Sequence, residues 1–247
     1  TFARSGVVRE KIRVVPGCLD PARYVLPTTP VTRGPEFRFL SLFDFTPRKG
    51  WDLLLRAYCE EFTASDPVML VVKVVNIFRD PLGPCKRVDE FLRHHGFRNP
   101  PPLEIIDGRF SEEQLVDLYR QSDAFVLPSR GEGWGRPYME AMAFGLPTIG
   151  TDWSGNLGFM HEDNSYLVEI EGLEPCERTW PEMPLYRGHQ WAVPSIASVR
   201  RRMREVFENR EEAAARGQRA RQELLSNFGL TAAGETLSAE FHRLVGE

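Results

Sequence analysis

Residues 130–151 read RGEGWGRPYMEAMAFGLPTIGT. Glu132 and Glu140 stand eight positions apart, with Gly131, Gly133, Gly135 and Pro137 around them. Pro137 suits the first position of a helix, where a missing N–H costs nothing, and Gly145 suits its C-terminal cap. A helix of about two turns starting there leaves N–H groups, at Tyr138 and Met139 in this reading, facing back toward the loop. A helix N-terminus favours an anion. The glycines let backbone approach a ligand closely, and Trp134 offers a flat apolar surface between Gly133 and Gly135. The two carboxylates, one on the loop and one a turn into the helix, could then hold hydroxyls at two points of one extended ligand. The same residues could instead make an ordinary strand–loop–helix junction with two solvated acids.

The elements that must position these residues lie on either side. FRFLSLF (37–43), VMLVVKVV (68–75), LEII (103–106), AFVLP (124–128) and PTIG (147–150) read as strands. The second is a continuous apolar run, the pattern of a strand covered on both faces. Between them, 50–62, about 86–95, 111–122 and 137–144 read as helices. Ser111 is placed to N-cap the third, on which Leu115, Leu118 and Tyr119 share a face. Strands alternating with helices predict a Rossmann-like α/β domain, a parallel sheet with helices on both faces. The glycine-rich loop follows AFVLP, so it falls at the carboxyl end of a parallel strand, where open α/β sheets bind ligands.

Beyond this region, 171–195, with Pro175, Pro181, Pro184 and Pro194, reads as an irregular insert, and 196–225 as helical. The basic run RRRMR (200–204), followed by Glu205, Glu208, Glu211 and Glu212, reads as a solvated helix face. The last helix carries Leu230, Ala233, Leu237, Phe241 and Leu244 as an apolar stripe that must bury itself against something.

Composition excludes several functions. A 42% apolar content supports a real core, and 31 basic against 35 acidic residues, a net charge of −4, argues against nucleic acid as a partner. No stretch approaches 18 uncharged apolar residues, so no transmembrane segment is expected. Cys18, Cys59, Cys85 and Cys176 lack close paired spacing and read as reduced, buried thiols of a cytoplasmic protein. The five histidines are scattered and no Asp-x-Asp occurs, so neither a metal nor another cofactor is expected.

The stretch EGWGRPYME resembles the Glu-x7-Glu motif of family-4 retaining glycosyltransferases of the GT-B fold. The surrounding DLYRQSDAFVLPSRGEGWGRPYMEAMAFGLPTIGTDWSG resembles the most characteristic part of their C-terminal, donor-binding domain. GVVREKIRVVPGCLD (6–20) is similar to the segment entering that domain, RKGWDLLLRAY (48–58) to its lysine-glycine motif, IIDGRFSEEQLVDLY (105–119) to its glycine loop and GHQWAVPS (188–195) to a segment of one subgroup. The resemblance implies one half of a GT-B fold. Residues 1–35 would be the segment entering from an absent N-terminal domain, 36–195 the nucleotide-sugar-binding domain and 196–247 C-terminal helices, the last packing on the absent domain.

The resemblance also implies roles. Glu140 binds ribose hydroxyls of a nucleoside diphosphate, and Glu132 contacts the donor sugar and steadies positive charge developing at its anomeric carbon. Backbone N–H groups of the segment holding Gly133, Trp134, Gly135, Tyr138 and Met139 hold the sugar and distal phosphate. Lys49, with Arg48, neutralises the diphosphate leaving group, and Arg109 and Phe110, after Gly108, lie beside the nucleobase. No metal is required, because cations and the helix dipole take that part. The acceptor half, in cis or as a partner chain, is absent, so the chain alone is expected to bind donor without efficient transfer. Several positions depart from the family pattern. Asp44 and Phe45 stand where an arginine is usual, Cys18 and Ser165 where glycine is usual, Gly158 where glutamate is common and Val193 where an acid is common. These departures leave a non-catalytic GT-B-like scaffold that regulates a partner as the alternative.

Overall fold

The computed structural model describes residues 2–25, 34–76, 81–181 and 183–246; residues 26–33 of the entering segment lie outside them. The domain alternates β1 (Phe37–Asp44), α1 (Trp51–Glu61), β2 (Val68–Val75), α2 (Gly83–His94), β3 (Leu103–Asp107), α3 (Glu112–Arg120), β4 (Ala124–Leu127), α4 (Arg136–Ala143) and β5 (Thr148–Thr151). A short β6 (Tyr166–Val168), not foreseen from the sequence, adds a further strand. The sheet runs β3-β2-β1-β4-β5-β6, parallel at every described pairing. β1 and β2 pair along their full length, from Phe37 opposite Val68 to Asp44 opposite Val75.

The strand order follows from the apolar runs. Phe39, Leu40, Leu70, Phe125 and Leu127 have no exposed surface at all, as strands covered on both faces require. α3 begins at the expected cap: Ser111 Oγ accepts from the Gln114 N–H while the Gln114 side chain accepts from the Ser111 N–H.

Three readings need correction. The segment taken as an irregular insert contains an antiparallel ribbon of β7 (Ile170–Pro175) and β8 (Gln190–Pro194). The RRRMR run lies on α5 (Ile196–Glu208), which packs on α1, and it is consumed in ion pairs rather than solvated. Arg200 and Arg204 lie 3.1 and 2.7 Å from Glu61, and Arg204 stacks over Phe62 at 4.5 Å. The acids that attract them sit at the end of α1, far away in sequence. Cys85 is exposed and Cys18 and Cys59 are half-buried, leaving Cys176 alone fully buried.

α6 (Arg210–Asn227) packs on α4, and α7 (Leu230–Val245) ends the chain. Of the apolar stripe on α7, Ala233 is buried, while Leu230, Leu237, Phe241 and Leu244 are exposed among the described residues. The entering segment is anchored at Leu19, whose N–H donates to Phe228 O at 2.9 Å, and at buried Tyr24.

Candidate active site

The sheet reverses its order between β1 and β4, and the turns leaving these two strands converge. Gly50 makes this possible: its φ is +66°, and a Cβ there would come within 2.1 Å of Pro128 O. The close approach sets Lys49 Nζ 2.8 Å from Glu132 Oε1 across 83 residues of sequence. Both side chains are almost wholly buried, at 6 and 7% exposure. Glu132 also accepts from Ser129 Oγ at 2.8 Å, and Arg48 donates to Gly131 O at 2.7 Å. Asp44, at the end of β1, lies 3.7 Å from Lys49 and 3.8 Å from Arg48.

The loop is gripped from its other side by Ser154. Its Oγ accepts from the Glu132 N–H at 2.7 Å and donates to the Glu132 carbonyl at 3.1 Å. Ser154 holds a φ of +77°, the one positive value at a described non-glycine residue, a conformation that persists only where surrounding bonds fix it. The sequence reading passed over Ser129 and Ser154, since serines are common loop residues and carry no periodic signal.

Between these turns lies a cavity of about 610 Å³. That volume suits a small-molecule ligand, for which about 300–1,000 Å³ is typical. Its walls carry four cations, Lys49, Lys73, Arg109 and Arg136, against two carboxylates, Asp44 and Glu132. Phe110, Trp134 and Gly135 also line it. Added Cβ atoms at Gly131 and Gly133 would meet nothing within 4 Å, so the protein leaves open space beside that turn.

The free donors are not those expected. The N–H groups of Tyr138 and Met139 both reach the Gly135 carbonyl, at 3.0 and 3.3 Å, closing the first turn of α4. Their side chains turn into the core, the Tyr138 hydroxyl bonding Leu127 O and Met139 Sδ accepting from the Trp134 indole N–H. α4 begins one residue earlier than expected, at Arg136. Between Gly131 and Met139, the N–H groups without a partner among the described residues are those of Gly133, Trp134, Gly135 and Arg136. The Trp134 ring packs against Phe159 and Phe228, and a Cβ at Gly158 would lie 3.0 Å from the ring, a tight contact.

Glu140 does not line the cavity; it lies behind Arg136, 3.7 Å away, and accepts from the Tyr119 hydroxyl at 3.0 Å. Tyr119 is held by stacking on Phe144, which Tyr24 meets edge-on. Burial raises the Glu140 pKa above its ordinary 4.5, against the opposing pull of Tyr119 and Arg136. A raised carboxyl pKa contributes stability below 4.5 that is lost as pH rises through the folded value. Glu140→Gln keeps the tyrosine bond and removes the ionisation, so its melting temperature is expected to exceed the parent's at pH 7 and match it at pH 4. An equal or lower value at pH 7 would show that Arg136 compensates the charge fully.

Lys73 was hidden inside the apolar run of β2. It is 1% exposed, yet its ammonium bonds the carbonyls of Val74 and Gly108 and lies 4.7 Å from the Phe110 ring. It therefore ties the Gly108–Phe110 loop to the cavity wall, and burial lowers its pKa. Arg109 and Phe110 line the cavity, while Gly108 does not and contributes its carbonyl to Lys73. Among the described residues no three His, Cys, Asp or Glu side chains are grouped to hold a metal ion, and no helix is long and apolar enough to cross a membrane.

A six-stranded parallel sheet of this order, with a cation-rich cavity at its switch point, defines the Rossmann-like half of a GT-B glycosyltransferase fold. The chain belongs to the group 1 glycosyl transferases, whose family model matches residues 35–174. It is 29% identical over 160 residues to mannosylfructose-phosphate synthase of Agrobacterium fabrum, covering 61% of this chain and 34% of that protein. It is 32% identical over 134 residues to D-inositol 3-phosphate glycosyltransferase of Rhodococcus erythropolis, covering 51% of this chain and 28% of that protein. The matches thus span about a third of these relatives' length. Among solved structures, Anabaena Alr3699/HepE in complex with UDP and glucose superposes with a TM-score of 0.71 at 14% identity, over 97% of this chain and 59% of that one. The C-terminal domain of a group 1 glycosyl transferase, LpcC of Francisella tularensis, superposes with a TM-score of 0.63 at 15% identity, over 86% of this chain and 99% of that domain.

Proposed function

We propose that this chain is the donor-binding part of a retaining glycosyltransferase that takes its sugar from a nucleoside-diphosphate sugar. The observation that carries the reading is the convergence of Lys49, Glu132 and the unpartnered N–H groups of Trp134, Gly135 and Arg136 on one cation-rich cavity at the switch point. UDP, present with HepE, supports the ligand class.

Lys49, with Arg48 behind it, and the N–H groups of Trp134, Gly135 and Arg136 meet the diphosphate. As the glycosidic C–O bond breaks, charge builds on the leaving phosphate, so fixed donors aimed there lower the barrier selectively. Glu132 holds the sugar hydroxyls and faces the positive anomeric carbon. Arg109 and Phe110, tied down by Lys73, flank the base, and Glu140 takes the ribose at the outer rim, beyond Arg136. No metal is needed for this role, an acceptor-binding domain in cis or in a partner chain completes the reaction, and the setting is the cytoplasm, in keeping with four unpaired cysteines.

One observation favours the second reading, a non-catalytic scaffold. Asp44 stands beside Arg48 and Lys49, so with Glu132 two carboxylates oppose the two cations nearest the leaving group. Calorimetric titration with UDP- and GDP-sugars decides between them. Binding that weakens about tenfold or more, or roughly 1.4 kcal/mol, in Glu140→Ala is expected; no binding of any nucleotide would establish the scaffold.

A further inference from the structure

A second cavity, of about 730 Å³, lies on the far side of the Gly131–Gly133 turn. Glu132 lines both cavities, so the two meet at this turn. Arg48 and Trp153 contribute from the site loops, and Tyr186, His189 and Trp191 from the β7–β8 ribbon and its connection. The ribbon is joined to the catalytic loop rather than merely near it. The Ala192 N–H donates to Arg130 O at 2.9 Å, and the Arg130 guanidinium lies 5.9 Å from the Trp191 ring. Tyr186 packs on Trp191 with centroids 5.9 Å apart.

The groups left open describe the ligand. Trp153 is half-buried, and its ring makes no ring contact or hydrogen bond among the described residues. The exposed His189 side chain likewise makes no hydrogen bond there. Flat aromatic faces beside a carboxylate, a guanidinium and an imidazole suit a pyranose ring, whose C–H face packs on the rings while its hydroxyls meet the polar groups. Of the unpartnered N–H groups, those of Trp134, Gly135 and Arg136 lie along the first cavity and only that of Gly133 along the second, and Arg48 already bonds Gly131 O, so the second is less furnished for a diphosphate.

We propose that this cavity is an acceptor subsite, built by the ribbon, that seats a pyranose ring of the acceptor beside Glu132, next to the donor. The inference rests on the donor reading of the first cavity. Transfer joins two molecules at one carbon, so their sites must meet, and Glu132 lines both cavities. The acceptor oxygen bonds to the anomeric carbon, the C–O bond to the diphosphate breaks with its electron pair leaving on phosphate, and that phosphate oxygen takes the hydroxyl proton.

Saturation-transfer NMR on the 247-residue chain with methyl α-glycosides of mannose, glucose and galactose tests this. Saturation of ring protons is expected in the parent, with at least a fivefold loss in Tyr186→Ala and in Trp153→Ala at unchanged melting temperature. The signal should persist with saturating UDP-glucose. Displacement by UDP-glucose but not by UDP would assign the cavity to the donor's own sugar and overturn the acceptor role, as would absent saturation or indifference to both variants. A separate UDP titration keeps the two readings apart: glycoside binding without UDP binding would leave the second cavity a sugar site and remove the donor reading alone.

Discussion

Lys49→Met is expected to weaken binding of UDP by about 10- to 100-fold while leaving binding of uridine unchanged. A hydrogen bond to a charged group contributes about 1.5–3 kcal/mol, which sets that range. Methionine retains most of the buried stem of a side chain only 6% exposed, so the variant removes the charge with little change in packing. Glu132 keeps Ser129 Oγ at 2.8 Å and Arg48 at 3.4 Å, so its loop remains held. Calorimetry with the two ligands separates phosphate from base. Equal UDP affinity in parent and variant would mean that the ammonium serves Glu132 alone, as a structural tie, and would remove Lys49 from the diphosphate site.

Arg130→Met is expected to destabilise the fold by about 3 kcal/mol, a fall in melting temperature of roughly 6–12 °C for a domain of this size. Arg130 is 5% exposed and makes a bidentate pair with Asp52 at 2.8 and 2.7 Å, and a bond to Pro47 O. Removing it strands Asp52 at the start of α1 and leaves the Pro47 carbonyl, in the turn that carries Lys49, with the Gly50 N–H as its remaining donor. Asp52 is 29% exposed, which places the cost near the lower end for a buried pair. Thermal unfolding of Arg130→Met, Asp52→Ala and the double variant measures the coupling. A fall below about 1 °C in Arg130→Met would show that water screens the pair and that the loop is held without it.

Both variants act through partners distant in sequence, and that marks the boundary of what could be read from the chain alone. The motif residues Glu132, Lys49, Arg109 and Phe110 do meet at one cavity. The acids and glycines of the 130–140 turn already suggested contact with a hydroxyl-rich ligand, whereas the places of Lys49, Arg109 and Phe110 were implied by the family resemblance. Tyr138 and Met139 did not keep their expected role. Which N–H groups are free depends on whether the chain before α4 makes a turn that caps it, and Gly135 does so with a φ of +93°. Glu140 was expected a turn into the helix, apart from Glu132; its place 3.7 Å from Arg136 and outside the cavity lining goes with the stacking of Tyr119 on Phe144 and the Tyr119 bond that holds it.

The sequence by itself determined the alternation of strand and helix. Apolar periodicity and capping residues act within a few positions, so β1, β2, β4, the Ser111 cap and the stop at Gly145 are local decisions. Only the tertiary structure decided what the polar residues do. Lys73 faces a cavity from within an apolar run because Gly108 and Phe110 arrive there from β3. Ser154 holds Glu132, the basic face of α5 clamps α1, and a segment that reads as irregular pairs into a ribbon beside the Arg130–Gly133 loop. Hydrogen bonds and ion pairs need partners within about 3–4 Å, and which residues become partners is settled by packing rather than by sequence distance.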